Sequence, residues 1–298
     1  MTVTAIAVLL LLTGCGSSTD GNGKTRVVAS FYPFAFVAEQ VGGSYANVDN
    51  LTAPGAEPHD IELKPKQVGA VQNADLVIFE KSFQAAVDQA VDQADRPAKG
   101  TIDVAKLVSL KNLQAGVQEE GHEHGSKDPH SWLDPRNMIV VTKAVSTQLS
   151  QIDPAHAKQF MANAQKLITQ LSDLDATFTA GLKTCRTRTI VTSHAAFQYL
   201  ANRYGLTQIP IAGIDPSNEP SPAQLADITK LVHKDKITTI FTEELVSPAI
   251  ADTVARETGA KTATLDPIEG LSDKTAHENY LTLMAKNLNA IAKADNCS

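Results

Sequence analysis

Twice along this chain, short apolar runs alternate with stretches of helical periodicity, and one long segment with no Gly or Pro between Pro154 and Gly181 separates the two series. Such alternation is the signature of βα units, whose strands assemble into a mainly parallel sheet covered by helices. In the first series Val27–Ser30 reads as a strand, and Phe34, Val37, Ala38 and Val41 mark the helix after it, stopped at Gly42-Gly43. Strands at 48–51, 76–79 and 101–104 and helices at 66–73 and 83–94 continue it. The second series has strands at 189–192, 208–211, 237–242 and 261–265, with helices at 195–204, 222–233, 248–257 and about 278–293. Between them, Phe160, Leu167, Leu171, Leu174 and Phe178 form one helical stripe within Pro154–Leu182, and Asp153-Pro154 supplies a cap and a first-turn proline. At ~1.5 Å per residue this helix would be about 40 Å long, more than one small domain needs. The expected fold class is α/β, two domains with mainly parallel sheets flanked by helices and joined by one long rigid helix. The expected boundaries are 26–152 for the N-terminal domain, 153–184 for the linking helix and 185–298 for the C-terminal domain.

Ahead of this pattern, Ala5–Leu12 is an apolar run too short for a bilayer, which takes about 20 residues, and residues 1–14 read as a signal peptide. Leu12-Thr13-Gly14-Cys15 resembles the bacterial lipoprotein box, with Cys15 as the lipidated residue and 15–25 as a polar tether. An excess of 33 acidic over 26 basic residues argues against nucleic acid or an anionic lipid surface as the main partner. Setting Cys15 aside leaves Cys185 and Cys297. Export permits a disulfide between them, which would pin the C-terminus; two idle thiols are the other reading.

Ligands of open α/β sheets bind beyond the carboxyl ends of the strands. His59 lies in the loop after the second strand, His130 in the connection after the fourth, His194 just past the first strand of the second series, and Asp266 just past its last. Three imidazoles and one carboxylate, two from each domain, would complete a tetrahedral shell for Zn²⁺ in the inter-domain cleft. Glu57, two residues before His59, could be an alternative ligand or, preferably, an acceptor orienting an imidazole; Glu243, at another strand end, could steady His194 or cap a helix. A short His/acidic tract, Glu119–Gly125 with His122 and His124, precedes the second histidine and could capture metal transiently or be a solvated loop.

These residues carry a family resemblance. Gly55-x-x-Pro58-His59, Asp128-Pro129-His130-x-Trp132-Leu133-Asp134-Pro135, Ser193-His194-x-Ala196-Phe197 and Leu265-Asp266-Pro267 are similar, in order, to the four ligand motifs of the ZnuA-like zinc receptors of bacterial ABC importers. Phe241-Thr242-Glu243 is similar to a strand-end motif bordering the cleft. The resemblance implies two α/β domains on one rigid helix, with metal between them. It also implies a lipid-anchored, extracytoplasmic, monomeric receptor delivering zinc to a membrane permease, and no enzymatic activity. Manganese receptors of the wider family carry Glu where this chain has His194, so zinc is the expected cargo. A manganese receptor, an adhesin and a zinc hydrolase are the alternatives; the last is opposed by the absence of a His-Glu-x-x-His helix or nucleophile elbow.

Overall fold

The computed structural model describes residues 23–114, 117 and 127–298 of the 298-residue chain. The expected signal peptide, Cys15, and His122 and His124 lie outside the described residues. Among the described residues, no helix is long and apolar enough to cross a membrane.

The first lobe runs β1 (Thr25–Ala29), α1 (Tyr32–Gly42), β2 (Ala46–Asn50), α2 (Pro65–Asn73), β3 (Leu76–Phe79), α3 (Ala85–Gln93) and β4 (Thr101–Asp103). After α4 (Pro135–Ile152) and α5 (Ala157–Gly181), the second lobe runs β5 (Thr189–Thr192), α6 (Gln198–Tyr204), β6 (Thr207–Pro210), α7 (Pro222–Lys234), β7 (Thr239–Thr242), α8 (Ala249–Thr258), β8 (Lys261–Thr264) and α9 (Tyr280–Ala294). Every strand pairing in the two sheets is parallel, with orders β2-β1-β3-β4 and β6-β5-β7-β8. The permutation is the same in both lobes. Each sheet therefore reverses its winding between its first and third strands, which opens a crevice at their carboxyl ends.

Strand alternation explains how the lobes join. In β3, Val77 and Phe79 face an outer cluster with Val71 of α2 and Val87, Ala90 and Val91 of α3. Leu76 and Ile78 face the opposite way, into the main core. In the second lobe Val191 and Ile240 pack outward on α7 and α8, while Ile190 and Phe241 point inward. The two inward faces share one continuous core with α1, α4, α5 and α9. Burial of apolar surface thus spans the domain boundary, which resists free rotation of one lobe against the other.

Helix α5, 25 residues and about 37 Å long, is fixed to both lobes. Near its start Asn163 donates to the Val41 carbonyl at the end of α1. Near its end Phe178 stacks on Tyr204 of α6 and Gly181 lies against Leu288 of α9. Between these, Asp175 accepts from Arg203 of α6 at 2.8 and 2.9 Å and from Arg136 of α4 at 3.1 Å. The helix begins at Ala157 rather than Pro154, because Pro154–His156 is a short 3₁₀ turn.

One element goes beyond the sequence reading, and one expected bond is present. Helix α4 was not anticipated, although its start carries ordinary signals: Pro135 in the first turn and the Asp134 carboxylate accepting from the Arg136 N–H. Cys185 and Cys297 form a disulfide that closes a span of 112 residues and ties the chain end to the segment after α5.

Candidate metal centre

The three site histidines sit in connections that follow strands, and a carboxylate or a packed ring fixes each one. His59 lies in the loop after β2. The main-chain N–H of Gly55, at φ 80, donates to the Leu271 carbonyl of the other lobe, and Gln84 donates to the Pro58 carbonyl. Glu57 accepts the His59 main-chain N–H through both carboxylate oxygens, and the His59 ring rests edge-on against Phe83. His130 lies between β4 and α4, where Asp128 accepts from its main-chain N–H at 2.9 Å and pairs with Nδ1 at 2.8 Å. His194 follows β5, and Glu243, just past β7, does the same for it: main-chain N–H at 3.2 Å and Nδ1 at 2.8 Å. Glu243 therefore steadies His194.

A carboxylate at Nδ1 accepts the proton there and leaves the Nε2 lone pair directed into the site. The Nε2 atoms of His130 and His194 stand 3.3 Å apart. Those of His59, His130 and His194 lie 3.5, 3.4 and 3.5 Å from one oxygen, Oε1, of Glu269. The four donors all fall within 4.8 Å of one another, and all four residues are buried. No second cluster of this kind occurs among the described residues. Four of the six donor separations are thus 3.3–3.5 Å; a regular tetrahedron of that edge has a centre-to-corner distance of about 2.1 Å, the length of a Zn–N or Zn–O bond. Electron-rich atoms converging this closely in a dry site need a proton or a cation between them.

The electrostatics carry the same sign. Burial opposes ionisation of Glu269, yet the three facing imidazoles hold its carboxyl well below the usual range. Burial alone would depress every imidazole, and at His59 it prevails, pushing the ring down to about 4. At His130 burial is outweighed by Asp128 and Glu269, and the value rises; at His194, Glu243 and Glu269 raise it well above normal.

Asp266 does not join the cluster. Its Oδ1 accepts the Ile268 main-chain N–H at 2.7 Å, and its own main chain is bracketed by Asn287 of α9 at 2.9 and 2.6 Å. The carboxylate that reaches the imidazoles belongs to Glu269, three residues further on. Counting from the strand end misses it because Ile268 adopts a left-handed backbone, φ 59, which swings the next side chain into the cleft. Glu57 also stays outside the cluster, 3.9 Å from His59 Nε2; burial and the Glu269 charge push its carboxyl up to about 8.

Two like-ordered parallel-sheet lobes on a shared helix, with a buried His₃Glu cluster between them, define a two-lobed α/β protein whose inter-lobe site suits a metal cation. The family model described as zinc-uptake complex component A, periplasmic, matches residues 27–294, and the chain belongs to this ZnuA family. It is 38% identical over 292 residues to the zinc-binding lipoprotein AdcA of Streptococcus pneumoniae, covering 95% of this chain and 58% of that relative. The chain thus spans little more than half the length of that lipoprotein. It is 34% identical to the high-affinity zinc uptake system protein ZnuA of Bacillus subtilis, covering 96% of this chain and 94% of the relative. Among solved structures, the Zn(II)-bound ZnuA-like domain of S. pneumoniae AdcA is similar with a TM-score of 0.77 and 37% identity, covering 92% of this chain and all of that domain (100%).

Proposed function

We propose that this chain is an extracytoplasmic receptor that encloses one Zn²⁺ between its lobes, on His59, His130, His194 and Glu269, and delivers it to the membrane permease of an ABC importer. The observation that carries this reading is the convergence of three imidazole Nε2 atoms on the Glu269 carboxylate at 3.4–3.5 Å, in a site without exposed ligands. Three nitrogens and one oxygen suit zinc, whereas manganese favours oxygen-rich shells. Four protein ligands leave no open position of the kind a catalytic zinc uses to activate water. All four come from one chain, so a monomer suffices to hold the ion. The Leu12–Cys15 motif and relatives named as lipoproteins support a lipid anchor at Cys15 on the outer side of the membrane.

Competition against a zinc-responsive chelator tests the reading. Wild-type protein is expected to take one zinc and to prefer it to Mn²⁺, and His194→Ala to lose most of that affinity. Equal affinity for the two metals, or an unaffected His194→Ala variant, overturns it.

A further inference from the structure

The three residues leading to Glu269 are held more tightly than a connecting loop requires. Asp266 is pinned through both its main-chain N–H and its carbonyl by the Asn287 side chain. The Pro267 carbonyl accepts the Trp132 indole N–H at 2.7 Å, and the Trp132 carbonyl accepts the Tyr280 hydroxyl at 2.6 Å. Ile268 is fully buried at φ 59, a conformation that crowds a β-branched side chain against its own backbone and persists only where the surroundings impose it. The imposing contact is local: Asp266 Oδ1 accepts the Ile268 N–H at 2.7 Å, closing a tight turn whose exit vector points Glu269 at the three imidazoles.

Resting on the reading that the His₃Glu cluster holds the ion, we propose that Asp266 is a positioning residue. Its carboxylate holds Ile268 in the left-handed conformation that aims Glu269, and so sets zinc affinity without touching zinc. The arrangement divides the work between two carboxylates three residues apart. Glu269 supplies the negative charge to the ion. Asp266 keeps that charge in place before the ion arrives, so that binding does not have to order the loop.

Four variants separate this role from a ligand role and from general stabilisation. Zinc affinity is read by chelator competition, coordination geometry by the visible absorption of the Co²⁺-loaded protein, and folding by thermal unfolding without metal. Asp266→Ala is expected to weaken zinc binding about 10- to 100-fold, the range for residues that orient a ligand, and to change the Co²⁺ spectrum. Asp266→Asn keeps an oxygen for the Ile268 N–H and should stay within about threefold of wild type, because only the acceptor is needed. Ile268→Gly introduced into Asp266→Ala should restore most of the loss, since glycine takes the left-handed backbone without steric cost. In a Glu269→Gln background, Asp266→Ala should add less than about threefold, because two residues acting through one contact are not additive.

The proposal is overturned if Asp266→Asn loses as much affinity as Asp266→Ala and Ile268→Gly gives no rescue, which would make Asp266 itself a ligand. Wild-type affinity in Asp266→Ala also overturns it. If Asp266→Ala does not fold, Asp266→Asn and the double variant with Ile268→Gly still decide. Failure of the wild-type chain to take zinc would instead strike the underlying site reading, and the wild-type control tells the two apart.

Discussion

Glu243 offers a quantitative test of how the centre is built. Its carboxylate accepts both N–H groups that His194 presents, Nδ1 at 2.8 Å and the main chain at 3.2 Å, and its side chain is 1% exposed. Alanine at this position removes the acceptor of both buried donors and frees the ring to rotate or to exchange tautomers. Buried hydrogen bonds to a charged group contribute about 1.5–3 kcal/mol, and each 1.4 kcal/mol is a factor of ten. Glu243→Ala should therefore weaken zinc binding by about 10- to 100-fold, matching the general effect of removing an imidazole-orienting carboxylate. Glu243→Gln keeps an oxygen that can accept from Nδ1 and should recover most of the loss. The assay is chelator competition near neutral pH, with His194→Ala marking complete loss of the ligand. If Glu243→Ala bound zinc within about twofold of wild type, orientation of His194 would contribute less than the ~1.5 kcal/mol expected of the bond, and the reasoning would fail.

Three further outcomes follow from the same geometry. In the metal-free protein the raised value of His194 stabilises the fold fully below the unfolded histidine range near 6.5 and is lost as pH rises through the folded value, whereas zinc needs unprotonated imidazoles. The zinc-induced rise in Tm should therefore be small near pH 5.5 and grow toward pH 8; a rise independent of pH contradicts this. Asp175→Ala removes the carboxylate shared by Arg203 and Arg136 and should cost about 1.5–3 kcal/mol in urea unfolding, with zinc affinity little changed. A loss below about 0.5 kcal/mol would show that this junction is dispensable. Replacing Cys185 and Cys297 by serine should lower stability by roughly 2–4 kcal/mol, as expected for a bridge that restricts a long loop in the unfolded chain, and leave zinc stoichiometry unchanged.

Much of the architecture was legible in the sequence because parallel strands and amphipathic helices carry different periods. Leu76–Phe79 reads as a buried strand from its continuous apolar run, and 222–233 as a helix, which the structure carries one residue further, to Lys234, behind a Ser221 cap. His59, His130 and His194 were legible as candidates because each follows a strand, where open sheets place ligands. What escaped depended on contacts across the chain or on single dihedral angles. Glu269 is turned inward by one left-handed residue, Ile268, which no propensity favours at an isoleucine. The choice between Asp266 and Glu269 was thus settled by a backbone angle rather than by residue type. The tie from Trp132 to Pro267 joins residues 135 apart, and the continuous inner core joins two sheets that the sequence reads as separate domains. Helix α4 carried readable signals at Asp134 and Pro135, but these fall within a stretch that also reads as a ligand motif.

The most direct test of the central claim is zinc K-edge X-ray absorption on protein loaded with one equivalent of zinc. The structure predicts four light-atom neighbours at about 2.0–2.2 Å, with the outer-shell scattering of three imidazoles and one carboxylate oxygen. A shell with fewer than three imidazoles, or one of six oxygens, would contradict zinc capture by His59, His130, His194 and Glu269.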